Sequence, residues 1–289
     1  MNQLANTNSG DVMRAGSICE VISAGASASL SAGALVFTRS PPGWSKYAVV
    51  DSKAVQPLPV DSLPRGVSVT HFLGALGLTG LTAWAGLVEV AQAQASDVVV
   101  VSGAAGATGS MAVQIAKGMI GCKRVIGIAG GPEKCRWVES LGADVCVDYK
   151  ASGWREALLQ ATEGRVDVFF DNVGGEQLDF MLGRLKMHGR VAVCGAISQY
   201  NSSGKAVAFE NFTLVNKQRL QIRGFIVFDH MDKQAEVTQA FLEAVKEGKL
   251  KIGDEMETVV ESDFEHIPHT WMRLFEGKNQ GKLVTKLVG

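Results

Sequence analysis

A chain of 289 residues is longer than one hydrophobic core usually serves, so its length predicts two domains or one domain with a large insertion. With 46% hydrophobic and 20% charged residues the composition excludes a disordered chain; 28 basic against 29 acidic side chains, a net charge of −1, lack the basic excess that nucleic acid or a membrane surface demands. The five cysteines, none in a C-x-x-C pair, argue against a disulfide framework or thiolate zinc site and for reduced thiols in a cytoplasmic protein.

Residues Met1 to Asp11 are polar and show no basic region followed by an apolar core, so no secretory signal is read there. From there to about residue 70 the chain reads as short β-runs, Ser17–Ser23, Ala34–Thr38 and Trp44–Val50, separated by glycine, serine and the Pro41-Pro42-Gly43 turn. The Ala- and Gly-rich run from Phe72 to Ala95 is broken by Glu89, Gln92 and Gln94, which argues against a membrane span; Leu81–Gln92 within it reads as a helix. Strand and helix then alternate. The expected strands are Val98–Val101, Val125–Ala129, Val145–Val147, Val166–Phe170, Arg190–Cys194 and Gln221–Val227, with helices beginning near Gly109, Pro132, Trp154 and Glu176. Short apolar strands flanked by helices predict a parallel sheet covered on both faces. The tail from Met256 to Val288 returns to strand, helix, strand. The expected fold is α/β: a Rossmann doubly wound parallel sheet over residues 79–246, inserted in a β-rich domain formed by residues 1–78 and 247–289.

The strongest chemical signal is the glycine-rich run Ser102-Gly103-Ala104-Ala105-Gly106-Ala107-Thr108-Gly109-Ser110, which follows four valines and leads into the helical pattern Met111–Lys117. A strand that turns sharply into a helix presents free N–H groups to a phosphate, and small residues let the backbone approach it. Gly-x-x-Gly-x-x-Gly is weak alone, but a strand before it and a helix and second strand after it supply the context of a dinucleotide site. The end of the second strand bears on cofactor choice. Units that bind NAD usually place Asp or Glu there for the ribose hydroxyls, whereas Ile128-Ala129-Gly130-Gly131-Pro132-Glu133-Lys134 has only small residues at the tip. This favours NADP(H), with Lys134 as partner of the 2′-phosphate, Arg136 nearby, and Tyr149 of Asp148-Tyr149-Lys150 within reach. A solvated lysine at a helix start is the plainer reading of Lys134, and Glu133 is a competing ribose ligand inside the helix start.

Five segments together resemble the zinc-independent medium-chain reductases: Gly103 to Ser110, Gly130 to Lys134, Asp171-Asn172-Val173-Gly174-Gly175, Cys194-Gly195-Ala196-Ile197-Ser198-Gln199-Tyr200-Asn201, and Gly277-Lys278-Asn279-Gln280-Gly281-Lys282. The resemblance is to the prostaglandin reductase / leukotriene B4 dehydrogenase branch, which includes plant and fungal double-bond reductases, and it runs from about Gly10 onward. It implies that the β-rich domain is GroES-like, that the cofactor is NADP(H), and that the chain forms a homodimer along the edge strand Gln221–Val227. It also implies roles. Gly106, Ala107, Thr108 and Gly109 would hold the pyrophosphate, Lys134 and Tyr149 the 2′-phosphate, and Asn172 would contact the cofactor. Cys194, Gly195, Ala196, Ile197, Ser198 and Tyr200 would line the nicotinamide ribose and ring. Phe225, Ile226 and Val227 would lie beside the carboxamide, and Asn279 would close the site. Phe225 to Val227 as core strand, Asn279 as a loop cap and Cys194 as a small buried residue are the plainer alternatives. In one respect the sequence departs from the family, whose members carry a further strand-rich stretch ahead of this chain's start; Met1 to Gly10 do not match it. An incomplete fold, an open pocket or an inactive isoform are the implied consequences.

Zinc alcohol dehydrogenases of the same superfamily hold their metal with Cys and His ligands. This sequence offers no cysteine cluster, and its one close histidine pair, His266-x-x-His269, lies on an expected tail helix with no third ligand. The implied reaction is therefore NADPH-dependent reduction of the C=C bond of α,β-unsaturated aldehydes and ketones, by hydride transfer to the β-carbon. Hydrogen-bond donors would stabilise the enolate. Tyr200 is the catalytic candidate, and packing over the nicotinamide is its alternative role. Quinone reduction on the same architecture and a non-catalytic NADPH-binding protein remain open. A methyltransferase is disfavoured by the missing acid at the strand tip.

Overall fold

A computed structural model describes residues 10–39, 43–200 and 208–288 of the chain; Pro41, Pro42 and Asn201, quoted above, lie outside the described residues. The chain opens with β1 (Ser17–Glu20), β2 (Leu35–Thr38) and β3 (Gln56–Pro57), an antiparallel sheet in that order. Then come α1 (Leu78–Trp84), β4 (Val98–Ser102), α2 (Ala107–Gln114), β5 (Arg124–Ala129), α3 (Pro132–Ser140), β6 (Val145–Asp148), α4 (Trp154–Ala161), β7 (Val166–Asp171), α5 (Gly175–Leu182), β8 (Leu185–Val193), α6 (Thr213–Lys217), β9 (Gln221–Gly224) and α7 (Gln234–Lys246). The tail forms β10 (Glu257–Ser262), α8 (Ile267–Glu276) and β11 (Lys282–Leu287), its two strands pairing in parallel.

The six-stranded sheet has the order β6-β5-β4-β7-β8-β9, all parallel. This is the doubly wound arrangement expected from the valine runs. Those runs exist because both faces are covered. Val99, Val101 and Phe170 pack into one apolar cluster while Val100 and Phe169 pack into the other, so successive residues point to opposite buried faces. Each such side chain contributes about 1.5–3 kcal/mol by leaving water. Strand order reverses between β4 and β7, and in this fold class ligands bind at that switch point, beyond the carboxyl ends of the strands.

Four segments differ most from expectation; the strand expected over Arg190–Cys194 begins at Leu185 and ends at Val193, with a register break against β7 between Val166 and Val168. Trp44–Val50 forms no strand: Tyr47 and Val49 are exposed, and among the described residues no neighbouring segment supplies a ladder. The last sheet strand stops at Gly224 rather than Val227. The Phe225 ring turns inward, edge-on to Phe170 at 6.4 Å and under Gly86, where a Cβ would stand 2.7 Å from the Phe225 ring, and the chain then winds into a 3₁₀ helix at Val227–Lys233. The helix expected over Leu81–Gln92 starts at Leu78 and changes from α to π winding at Ala85–Val90, bringing Gly86 under the Phe170 and Phe225 rings. No helix of the described residues is long and apolar enough to cross a membrane.

Candidate active site

The carboxyl ends of β4 and β7 are locked by one buried carboxylate. Asp171 accepts the Ser102 hydroxyl at 2.8 Å and the Val173 and Gly174 amides at 3.0 Å, and the Ser102 oxygen accepts the Asn172 amide at 2.9 Å. Burial pushes the Asp171 carboxyl above its usual range, against the opposing pull of those donors. The Asn172 side-chain amide is turned back onto the Ser102 carbonyl at 2.6 Å, placing it at the switch point.

The following loop is fastened to the same frame. Cys194 and Gly195 donate to the Asp171 carbonyl at 2.8 and 3.1 Å, Ile197 donates to Asn172 at 3.3 Å, and the Ser198 hydroxyl donates to the Val173 carbonyl at 2.6 Å. Ala196 donates its N–H to the Tyr200 hydroxyl oxygen at 3.3 Å. Tyr200 is 65% exposed, so its phenol is open to a bound molecule. The structure thus gathers Asn172, Cys194, Gly195, Ala196, Ile197, Ser198 and Tyr200 along one wall. Burial, with Asp171 adding to it, pushes the Cys194 thiol up to about 12, which makes it a packing residue and not a nucleophile.

The phosphate turn is shaped by contacts that only glycine tolerates. Gly103 has φ +59°, and a Cβ on Gly109 would collide with the Gly103 carbonyl and stand 2.8 Å from the Ala104 Cα. Helix α2 starts after Gly106 with no side chain capping it, so the main-chain N–H groups around Ala107, Thr108 and Gly109 form a cradle suited to a pyrophosphate. The tail closes over this turn: Gly281 donates to the Ala105 carbonyl at 3.0 Å and bridges Gly106, and the Asn279 side chain binds the Gly281 carbonyl at 3.2 Å. Asn279 thereby arrives at the cradle from far along the chain. Phe225 is half-buried, Ile226 exposed and Val227 half-buried, beyond the end of β9.

At the tip of β5, Ala129, Gly130 and Gly131 carry no acid. Asp148, at the end of the neighbouring β6, spends one carboxylate oxygen on the Gly131 and Lys150 amides, at 2.7 and 2.9 Å. Tyr149 donates its amide to Ala129 at 3.0 Å, and its ring leans on Gly130, where a Cβ would lie 2.9 Å from it. Lys134 reaches the Gly277 carbonyl at 2.9 Å; Glu133 and Arg136 point to solvent. Burial first, and the charge of Lys150 second, lower the Lys134 pKa. The roles of Ser102, Asp171, Lys150 and Gly281 escape sequence reasoning, although all four lie inside motifs that it quotes. His266 precedes α8 with its ring 2.7 Å from Asp263, and among the described residues no three His, Cys, Asp or Glu side chains are grouped to hold a metal ion.

The family described as zinc-binding dehydrogenase matches residues 107–247. Prostaglandin reductase 1 of Mus musculus is 38% identical over 249 residues, spanning 84% of this chain and 73% of that protein. The chain belongs to the medium-chain dehydrogenase/reductases, in their prostaglandin reductase branch. Another relative in this family, the NADPH-dependent curcumin reductase of Escherichia coli strain K12, is 34% identical over 253 residues, covering 86% of this chain and 70% of that one. The crystal structure of CurA in complex with NADPH from Vibrio vulnificus superposes with a TM-score of 0.85 at 32% identity, covering 96% of this chain and 81% of that chain. The doubly wound sheet joined to a GroES-like β-rich unit is the family's architecture.

Proposed function

We propose that this chain uses NADPH to reduce the C=C bond of α,β-unsaturated aldehydes and ketones. The observation that carries the reading is the acid-free tip of β5, faced by Lys134, Lys150 and Tyr149 at the edge of a doubly wound sheet, a donor set suited to a 2′-phosphorylated ribose. The NADPH held by CurA and the NADPH dependence named for the Escherichia coli relative support it. When bound, the dihydronicotinamide supplies a hydride to the β-carbon of a conjugated alkene.

The chain's own residues do the rest. Main-chain N–H groups of Ala107, Thr108 and Gly109 bind the pyrophosphate where the turn at Gly106 brings the chain against it, Lys134 and Tyr149 bind the 2′-phosphate, and Asn172 orients the cofactor. Cys194 to Ser198 wall the nicotinamide ribose, Phe225, Ile226 and Val227 flank the carboxamide, and Asn279 closes the site from the tail. Tyr200 donates its hydroxyl proton toward the substrate oxygen. Addition at the β-carbon places negative charge on that oxygen, so a neutral donor there stabilises the transition state more than the ground state. The Ala196 N–H, given to the Tyr200 oxygen, polarises the phenol as a donor.

In this reading residues 79–246 form the cofactor domain, and residues 1–78 and 247–289 the substrate domain. All four residues of the edge strand β9 are exposed, which suits pairing with a second copy into a homodimer. Five unpaired thiols suit a cytoplasmic setting. The test is NADPH consumption with a conjugated enal, its unconjugated isomer and a quinone, each with and without a chelator. Turnover of the conjugated enal alone, unaffected by chelation, is expected. Preference for the quinone, or no turnover with NADPH bound, would replace the reading with quinone reduction or with a non-catalytic role.

A further inference from the structure

Two of the five cysteines face each other beneath the tip of β5, and no role described above uses them. Cys135, Val138 and Glu139 stand three and four residues apart on α3 and so share one face of it. Cys146 on β6 meets that face. Its amide donates to the Glu139 carboxylate at 3.0 Å, and a Cβ placed on Gly127, its partner on β5, would lie 3.1 Å from the Cys146 Sγ and 2.6 Å from the Val138 Cγ1. The bare Gly127 leaves the room in which the two thiols meet, and they are hydrogen-bonded to each other. Burial raises both thiols above the usual cysteine range, Cys146 the further. The hydrogen bond from Cys146 opposes that rise at Cys135, while the Asp148 and Glu139 carboxylates add to it at both. Cys135 is thus the readier thiolate, with the Cys146 sulfur beside it.

We propose that Cys135 and Cys146 are a modification site, which a hydroperoxide converts to a reversible disulfide that loosens the hold on the cofactor. The Cys135 thiolate attacks a peroxide oxygen and becomes a sulfenic acid as the O–O bond breaks. The Cys146 sulfur then displaces the hydroxyl, which leaves as water with the Cys146 proton. Two electrons pass from the sulfurs to the oxidant, and hydrogen peroxide ends as two waters. Bonding draws the sulfurs from contact to about 2 Å, so α3 must move toward β6. Cys135 lies at the end of the first turn of α3, where its amide donates to the Gly131 carbonyl at 3.1 Å, and Lys134 directly precedes it. Tyr149 follows Cys146 just past the end of β6. The disulfide therefore shifts Lys134 against Tyr149. That consequence rests on the NADPH reading above, whereas the disulfide itself does not.

The experiment treats the full reduced chain with hydrogen peroxide, removes the excess, and follows three readouts: free thiols after unfolding, the disulfide map by mass spectrometry, and NADPH affinity by fluorescence titration. Two of the five thiols should be lost, in a peptide pair joining Cys135 to Cys146. The rate should rise about tenfold per pH unit through neutrality, because the attacking thiol lies below its pKa. The oxidised protein should bind NADPH about tenfold more weakly, and dithiothreitol should restore the affinity. By linkage, saturating NADPH should shift the thiol–disulfide equilibrium toward the dithiol by the same factor. Cys135→Ala and Cys146→Ala should each bind NADPH like the reduced wild type and keep that affinity after peroxide. A disulfide elsewhere, a sulfinic acid at Cys135 in place of the disulfide, or equal NADPH affinity in the two states would overturn the proposal. Reduced protein that binds no NADPH would overturn the NADPH reading instead, and the disulfide map would still judge the thiol pair.

Discussion

Strands β4 and β7 bury Val99, Val100, Val101, Phe169 and Phe170 completely, whereas the β-rich unit leaves Tyr47, Val49, Val259, Trp271 and Phe275 in solvent. One region has apolar matter on both faces of every central strand. The other is a set of short ladders with Trp44, Trp271 and Phe275 stacked edge to face along its surface. The cofactor half therefore holds most of the stability and can keep the Asp171 network and the phosphate turn in fixed geometry. The β-rich half buries fewer side chains, among them Val36, Leu58, Val67 and Met256, several of which join the same apolar cluster as Val99 and Phe170, and it meets the phosphate turn through Gly281 and Asn279.

The sharpest way to break this comparison is a pair of truncations. Phe169→Ala should lower the unfolding free energy by about 3–5 kcal/mol in urea titrations, while Phe275→Ala should change it by about 0.5 kcal/mol or less. Similar losses at both would show that the two halves share the core evenly. Next in size is Gly109→Ala. Its Cβ must displace the Gly103 carbonyl, so NADPH affinity should fall by about a hundredfold, with a smaller drop in melting temperature. Near-normal binding by this variant would mean that the turn does not cradle the pyrophosphate.

How far the sequence could be read follows the same divide. The strands of the doubly wound sheet lie within a few residues of their expected positions because burial on both faces leaves a continuous apolar run, which alternation and turns do not obscure. Trp44–Val50 has the same β-forming composition, but a strand also needs a partner, and nothing in the local sequence says whether one arrives. Phe225 to Val227 misled for a related reason, since an inward-turning aromatic ring and an edge strand use the same residues. In the site, the phosphate turn was legible because its glycines are contiguous. The placing of Lys150 beside Lys134, and of Gly281 on Ala105, comes from topology that brings distant segments together, and no local pattern encodes it.

Smaller effects test the wall of the site. Tyr200→Phe should slow turnover by about tenfold to a thousandfold if the hydroxyl donates to the forming enolate. A change below about twofold would leave the ring as packing only. The Cys194 thiol, held up to about 12, carries about a thousandfold less thiolate at pH 8 than an ordinary cysteine near pH 9 would. Iodoacetamide should accordingly modify it in the native protein far more slowly than after unfolding, with the rate rising tenfold per pH unit below its pKa. Rapid native labelling of Cys194 near neutral pH would contradict the packing that surrounds it.

The central claim is where the hydride goes. With NADPH carrying deuterium at both C4 positions and a conjugated enal as substrate, NMR and mass spectrometry of the product should find one deuterium on the former β-carbon, a solvent-derived hydrogen on the α-carbon and an intact carbonyl. Deuterium on a carbinol carbon, with the C=C bond retained, would show carbonyl reduction and contradict the account.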